Sequence, residues 1–130
     1  MKIYHFKKEE RLCNKRLIKV LYESGSSFIL YPYKVVFHPC NELDVPVQVV
    51  ISAPKRRFKK AVDRNLLKRR MREAYRLHKG TQLYPFFKEQ PILLSIQYIG
   101  KNIESYHFIA EKMSKLFRKL QDEFSNIHME

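Results

Sequence analysis

The chain has 130 residues, with 26 Lys or Arg against 13 Asp or Glu and a formal net charge of +13. A content of 45% hydrophobic and 13% aromatic residues excludes a disordered chain, and the length predicts one domain over 1–130 with its core at about 11–124. Cys13 and Cys40 show no metal-ligand or disulfide spacing, and no apolar run approaches the ~20 residues of a membrane span. The expectation is a soluble, cytoplasmic protein whose charge seeks a polyanion, either nucleic acid or an anionic surface.

In chain order, residues 14–24 predict a helix. Leu17, Ile18, Leu21 and Tyr22 share one face, while Lys15, Arg16, Lys19 and Glu23 take the other. Asn14 suits its N-cap and Gly25 its end. From Ser26 the composition turns aromatic and β-branched, and Pro32 divides the run into strands at about 27–31 and 33–38. After a polar turn, VPVQVVISA (45–53) sets Val45, Val47, Val49 and Ile51 on one face against Gln48, Val50 and Ser52 on the other, a third strand.

The run from Lys55 to Lys79 holds twelve Lys or Arg among 25 residues and only two acids, Asp63 and Glu73, so it carries +10 of the total charge. Lys55 to Lys60 predicts a loop, and Ala61 to about Lys79 a helix that stops at Gly80. Its apolar arc is Leu66, Leu67, Met71, Ala74 and Tyr75; the opposite arc is Arg64, Asn65, Lys68, Arg69, Arg72 and Arg76. Arg64, Lys68, Arg72 and Arg76 stand four apart, and like charges at that spacing destabilise an isolated helix by about 0.2–0.5 kcal/mol per pair. A row of phosphates would neutralise them; a merely solubilising face is the competing reading.

Residues 81–90 predict a loop with a Tyr84-Pro85-Phe86-Phe87 cluster that is either exposed or packed on the core, and 91–99 a fourth strand with Ile92, Leu94, Ile96 and Tyr98 on one face. A last helix over about 104–124 docks through Tyr106, Ile109, Met113, Leu116, Phe117, Leu120 and Phe124, and the final residues fray. No P-loop, nucleophile elbow, dinucleotide fingerprint or zinc-protease motif is present, and the five histidines are scattered, so no catalytic constellation emerges. Tyr22, Phe28, Tyr31, Tyr33 and Phe37 offer rings on which single-stranded bases stack for ~1–3 kcal/mol each, with core packing as the alternative for every ring.

The segment Arg64-Asn65-Leu66-Leu67-Lys68-Arg69-Arg70-Met71-Arg72-Glu73, led in by Lys55, Arg56 and Arg57, resembles the arginine-asparagine-arginine signature of the bacterial ribonuclease P protein family. Arg11-Leu12 and the helix ending Leu21-Tyr22-Glu23-Ser24-Gly25 resemble that family's first helix, and the likeness covers roughly residues 11 to 120. It implies an α/β (α+β) two-layer sandwich with a four-stranded sheet in the order α-β-β-β-α-β-α. That fold is similar to ribosomal protein S5 domain 2, with a left-handed βαβ crossover. It implies a non-catalytic protein subunit whose partners are a catalytic RNA and the 5′ leader of precursor tRNA. The cleavage chemistry falls to RNA-bound Mg²⁺, with no cofactor on the protein alone, no membrane role, and a monomer within the holoenzyme.

The resemblance carries Arg64, Asn65, Lys68, Arg69 and Arg72 over as RNA contacts and Arg56 and Arg57 as the basic pair at a strand end; Arg76 extends the row. Ile18, Tyr22 and Tyr33 fall on leader-groove positions, although Ile18 cannot stack. Leu66 stands where the signature has a basic residue, and Lys59 where the preceding loop commonly has glycine. The alternatives are a ribosomal-type or DNA-binding basic module and a protein-only nuclease, the last lacking a carboxylate or histidine cluster.

Overall fold

The computed structural model describes residues 7–128. The first helix, α1, spans Lys15–Ser24 because its stripe finds a sheet and its N-terminus a cap: the Asn14 side chain accepts from the N–H groups of Arg16 (2.9 Å) and Leu17 (3.2 Å). Leu17 and Leu21 are the residues it buries. Gly25 ends it with extended backbone rather than a left-handed turn. A Cβ there would lie 2.4 Å from the Leu21 carbonyl oxygen and 2.8 Å from Val36, so glycine is required by close approach.

Strands β1 (Ser26–Leu30), β2 (Tyr33–Pro39), β3 (Val47–Ser52) and β4 (Ile92–Tyr98) form one sheet in the order β1-β2-β4-β3. The β1–β2 and β2–β4 pairings are antiparallel, and β3–β4 is parallel. The helices α2 (Ala61–Gln82) and α3 (Tyr106–His128) complete the α-β-β-β-α-β-α order. Central β4 is buried on both faces: Ile92, Leu94, Ile96 and Tyr98 join the main core, whereas Leu93 packs with Leu17, Leu21 and Cys40.

The main sandwich therefore has two layers, sheet against α2 and α3, and α1 adds a partial third layer on the opposite face. Fully burying each Leu, Phe or Met of the main core contributes roughly 1.5–3 kcal/mol. Leu67, Met71, Phe87, Ile109, Met113 and Phe117 are all at 0% exposure there. Two expected helix ends move. Gly80 does not stop α2, which runs to Gln82; a helical glycine costs only about 1 kcal/mol, less than burying Leu83 beyond it returns. Likewise α3 runs to His128, into the segment expected to fray, whose last two residues lie outside the described ones. The cluster at 84–87 is split: Phe87 is buried edge-on against Phe124 and Tyr84 is partly buried, while Pro85 and Phe86 stay exposed.

Candidate nucleic-acid interface

On α2 the apolar arc Leu67, Met71, Ala74 and Tyr75 is buried, and Leu66 is intermediate. The basic arc proves heterogeneous. Asn65, Arg69 and Arg72 are exposed and Lys68 half-exposed, and among the described residues no acidic side chain lies within 4 Å of Lys68, Arg69 or Arg72. Arg76 pairs with Glu73 at 2.6 Å, which holds the Glu73 carboxyl below the usual carboxylate range. Arg70 donates to the Glu104 carbonyl and ties α2 to the loop that precedes α3. Arg64 turns back: its Nη1 donates to the carbonyl oxygens of Phe58 (2.8 Å) and Lys59 (2.9 Å).

That turn builds the basic loop. The N–H groups of Arg57 and Phe58 both donate to the Pro54 carbonyl, and Phe58 is buried against Tyr98 with ring centroids 5.9 Å apart. With Phe58 anchored below and Arg64 gripping from the helix, Arg56 and Arg57 stand exposed on a fixed turn at the end of β3. Lys59, where a glycine was the family expectation, is accommodated because no residue here adopts positive φ.

The second surface is the sheet face that α1 covers only in part. Register places Ser27, Val36, Ser95 and Val50 in one row across the four strands and Ile29, Lys34, Gln97 and Ser52 in the next. The wall is α1, with Ile18 half-buried and Tyr22 55% exposed; the Tyr22 hydroxyl meets Ser95 Oγ at 2.7 Å. Ile29 and Tyr31, 61% and 49% exposed, extend the apolar surface toward β1.

Tyr33 is a correction. It is fully buried on the opposite face, its hydroxyl donating to the Ile109 carbonyl of α3 at 2.8 Å, and burial raises its pKa. Strand side chains alternate, so a shift of one position exchanges faces; Lys34 and Val36 are the β2 residues on the groove side. Sequence reasoning missed Lys34, Ser95 and Gln97, although the buried partners Val35 and Phe37 fix their direction by alternation. Phe28 and Phe37 are core rings; Tyr22 and Tyr31 remain accessible.

A buried polar cluster was also missed. Glu10 accepts from the Lys7 N–H at 2.9 Å, from Lys79 Nζ and from the Tyr84 hydroxyl, tying the segment before α1 to the end of α2. Burial works against the carboxylate, but these donors outweigh it and hold the Glu10 pKa below its ordinary value. Burial depresses the Lys79 pKa, since Glu10 offsets only part of that penalty and Lys7 and Arg76 add to it. Lys79 thus belongs to the core, not the basic face.

Cys13 is exposed and Cys40 buried, both as free thiols. Among the described residues, no three His, Cys, Asp or Glu side chains converge as metal ligands, and no helix is long and apolar enough to cross a membrane. What the surfaces present is cations, hydroxyls and exposed rings, a donor set for phosphates and bases.

The comparisons agree on one family. The family model described as Ribonuclease P matches residues 6–121. The ribonuclease P protein component of Porphyromonas gingivalis is 32% identical over 111 residues, covering 83% of this chain and 80% of that protein. That of Petrotoga mobilis is 34% identical over 119 residues, covering 89% and 95%. The fold is shared with the RNase P proteins of Staphylococcus aureus (TM-score 0.67, 21% identity, 85% of this chain and 94% of that one) and Thermotoga maritima (0.68, 23%, 85% and 96%). The chain belongs to the ribonuclease P protein family, the protein component of a tRNA-processing ribonucleoprotein endoribonuclease.

Proposed function

We propose that the chain serves its holoenzyme through two RNA surfaces: the exposed arc of α2 with the Arg56–Arg57 turn grips the catalytic RNA, and the open sheet face beside α1 holds the 5′ leader of precursor tRNA. The observation that carries this reading is the separation of an unneutralised row, Asn65, Lys68, Arg69 and Arg72, from a shelf walled by Tyr22 and floored by Val36 and Ser95. Cations on a helix suit the phosphates of folded RNA, and a ring beside a polar floor suits single-stranded bases. Ile18 supplies apolar contact in place of a stack. Bond cleavage is assigned to Mg²⁺ held by the RNA; this chain binds and orients. One copy acts per holoenzyme, in the cytoplasm, in keeping with two reduced cysteines.

The test is reconstitution with the cognate catalytic RNA at low Mg²⁺. The protein is expected to increase cleavage of precursor tRNA over the RNA alone. Tyr22→Ala should weaken binding of precursor by ~1–3 kcal/mol while leaving leaderless tRNA unaffected. Equal losses for both tRNAs would remove the groove from the reading.

A further inference from the structure

The groove does not end at the sheet's β3 edge. Leu12 N–H donates to the Val49 carbonyl at 2.9 Å and Arg11 forms an isolated bridge to Val49, but the chain then leaves for α1 while β3 runs on to Ser52. The divergence leaves a cavity of about 410 Å³, within the range of small-ligand sites. Arg11, Leu12 and Cys13 line one side, Val50 and Ile51 the floor, and Arg72 reaches in from α2.

We propose that this cavity is a nucleotide subsite for single-stranded RNA, taking one base of the leader on its aliphatic floor and the adjoining phosphate between Arg11 and Arg72. Three observations converge on that occupant. Val50 is both the last residue of the groove row Ser27–Val36–Ser95–Val50 and part of the cavity, so the two are continuous. Arg72 belongs to the exposed arc of α2, so the cavity joins the two RNA surfaces. Among the described residues its lining carries two guanidiniums and no carboxylate, which matches a phosphodiester and opposes a cationic guest. The inference rests on the leader-groove reading and deepens it: the leader crosses β2, β4 and β3 and turns over the sheet edge toward the signature helix.

Cys13 provides the test, because it lines the cavity and is exposed, whereas Cys40 is buried. The reconstituted holoenzyme is treated with N-ethylmaleimide alone, with leaderless tRNA, and with a precursor blocked against cleavage, and alkylation of Cys13 is timed. At precursor concentrations ten times its Kd, the reactive fraction should fall about tenfold, with little change from leaderless tRNA. An unchanged rate with precursor overturns the subsite, as does full protection by the catalytic RNA alone. As a second measurement, Arg11→Ala should flatten the salt dependence of precursor binding by about 0.7 in the log–log slope; an unchanged slope removes the phosphate contact. Tyr22→Ala separates the two levels. If it weakens precursor binding while Cys13 stays reactive in the wild type, the groove stands and the subsite falls. If it is silent while Cys13 is protected, the subsite stands and the aromatic wall falls.

Discussion

Arg64 is the residue whose role the structure changes most, and its replacement separates structural from electrostatic work. Helix α2 begins without a side-chain cap, since Lys60 at the N-cap makes no side-chain bond. Arg64 Nη1 instead holds the two carbonyl oxygens just before the helix, at 2.8 and 2.9 Å. Bonds from a charged donor contribute roughly 1.5–3 kcal/mol when sheltered. Here one is half-buried and one exposed, so the pair together is expected near 2 kcal/mol. Arg64→Ala should therefore lower the urea midpoint by about 1 M at an m-value near 2 kcal/mol/M. Arg69 is exposed with no ion-pair partner among the described residues, and Arg69→Ala should shift stability by less than ~0.5 kcal/mol. In RNA binding the order reverses in kind: Arg69→Ala flattens the salt slope by about 0.7–0.9, while Arg64→Ala also displaces Arg56 and Arg57 and weakens binding beyond one contact. Equal urea midpoints for the two variants would refute the clamp.

Three further outcomes are expected. Glu10→Gln leaves Lys79 buried with a neutral partner and should cost about 3–5 kcal/mol, read by chemical denaturation. Because the folded Glu10 pKa lies below the unfolded value of about 4.5, its contribution is full above that pH and is lost as pH falls through the folded value; the variant should show a shallower loss of stability in acid. Tyr33→Phe removes the bond to Ile109 and should cost about 1 kcal/mol with no change in precursor affinity, whereas a selective loss of precursor binding would return Tyr33 to the groove. Ser95→Ala frees the Tyr22 ring and should weaken precursor binding more than it lowers stability, since the freed hydroxyl lies on a residue open to water.

The parts legible in the sequence are those encoded by local period. The stripe of α1 with Asn14 before it, the alternation of β3 and the 3-4-3 spacing of α3 all specify an element and its buried face without reference to distant residues. Face assignment failed where one residue decided it: the turn at Pro32 left the β2 register open, and a single step exchanges Tyr33 for Lys34. The insertion of β4 between β2 and β3 has no local signal, because adjacency of strands is settled by which faces both α1 and α2 can cover.

Charge was legible as a total and misleading residue by residue. The run Lys55 to Lys79 pointed to a polyanion, yet its members do different work: Lys79 closes on Glu10, 69 positions away, Arg76 is matched by Glu73, and Arg64 and Arg70 hold backbone carbonyls. A guanidinium bonded to a carbonyl leaves no complementary acid in the sequence, so the composition counts it as available. Lys68, Arg69 and Arg72 carry the charge that packing leaves unmatched, flanked by Asn65 and by the fixed turn of Arg56 and Arg57. Arg64, Arg70, Arg76 and Lys79 are engaged within the protein, and the exposed turn with Asn65, Lys68, Arg69 and Arg72 is the surface proposed for RNA. The family signature lies across that boundary: Arg64 anchors the loop, Asn65 faces outward, and Leu66 turns partly toward the protein. Leu66 is half-exposed one turn before Arg69, so it puts an apolar side chain beside the proposed RNA row where the signature places a cation.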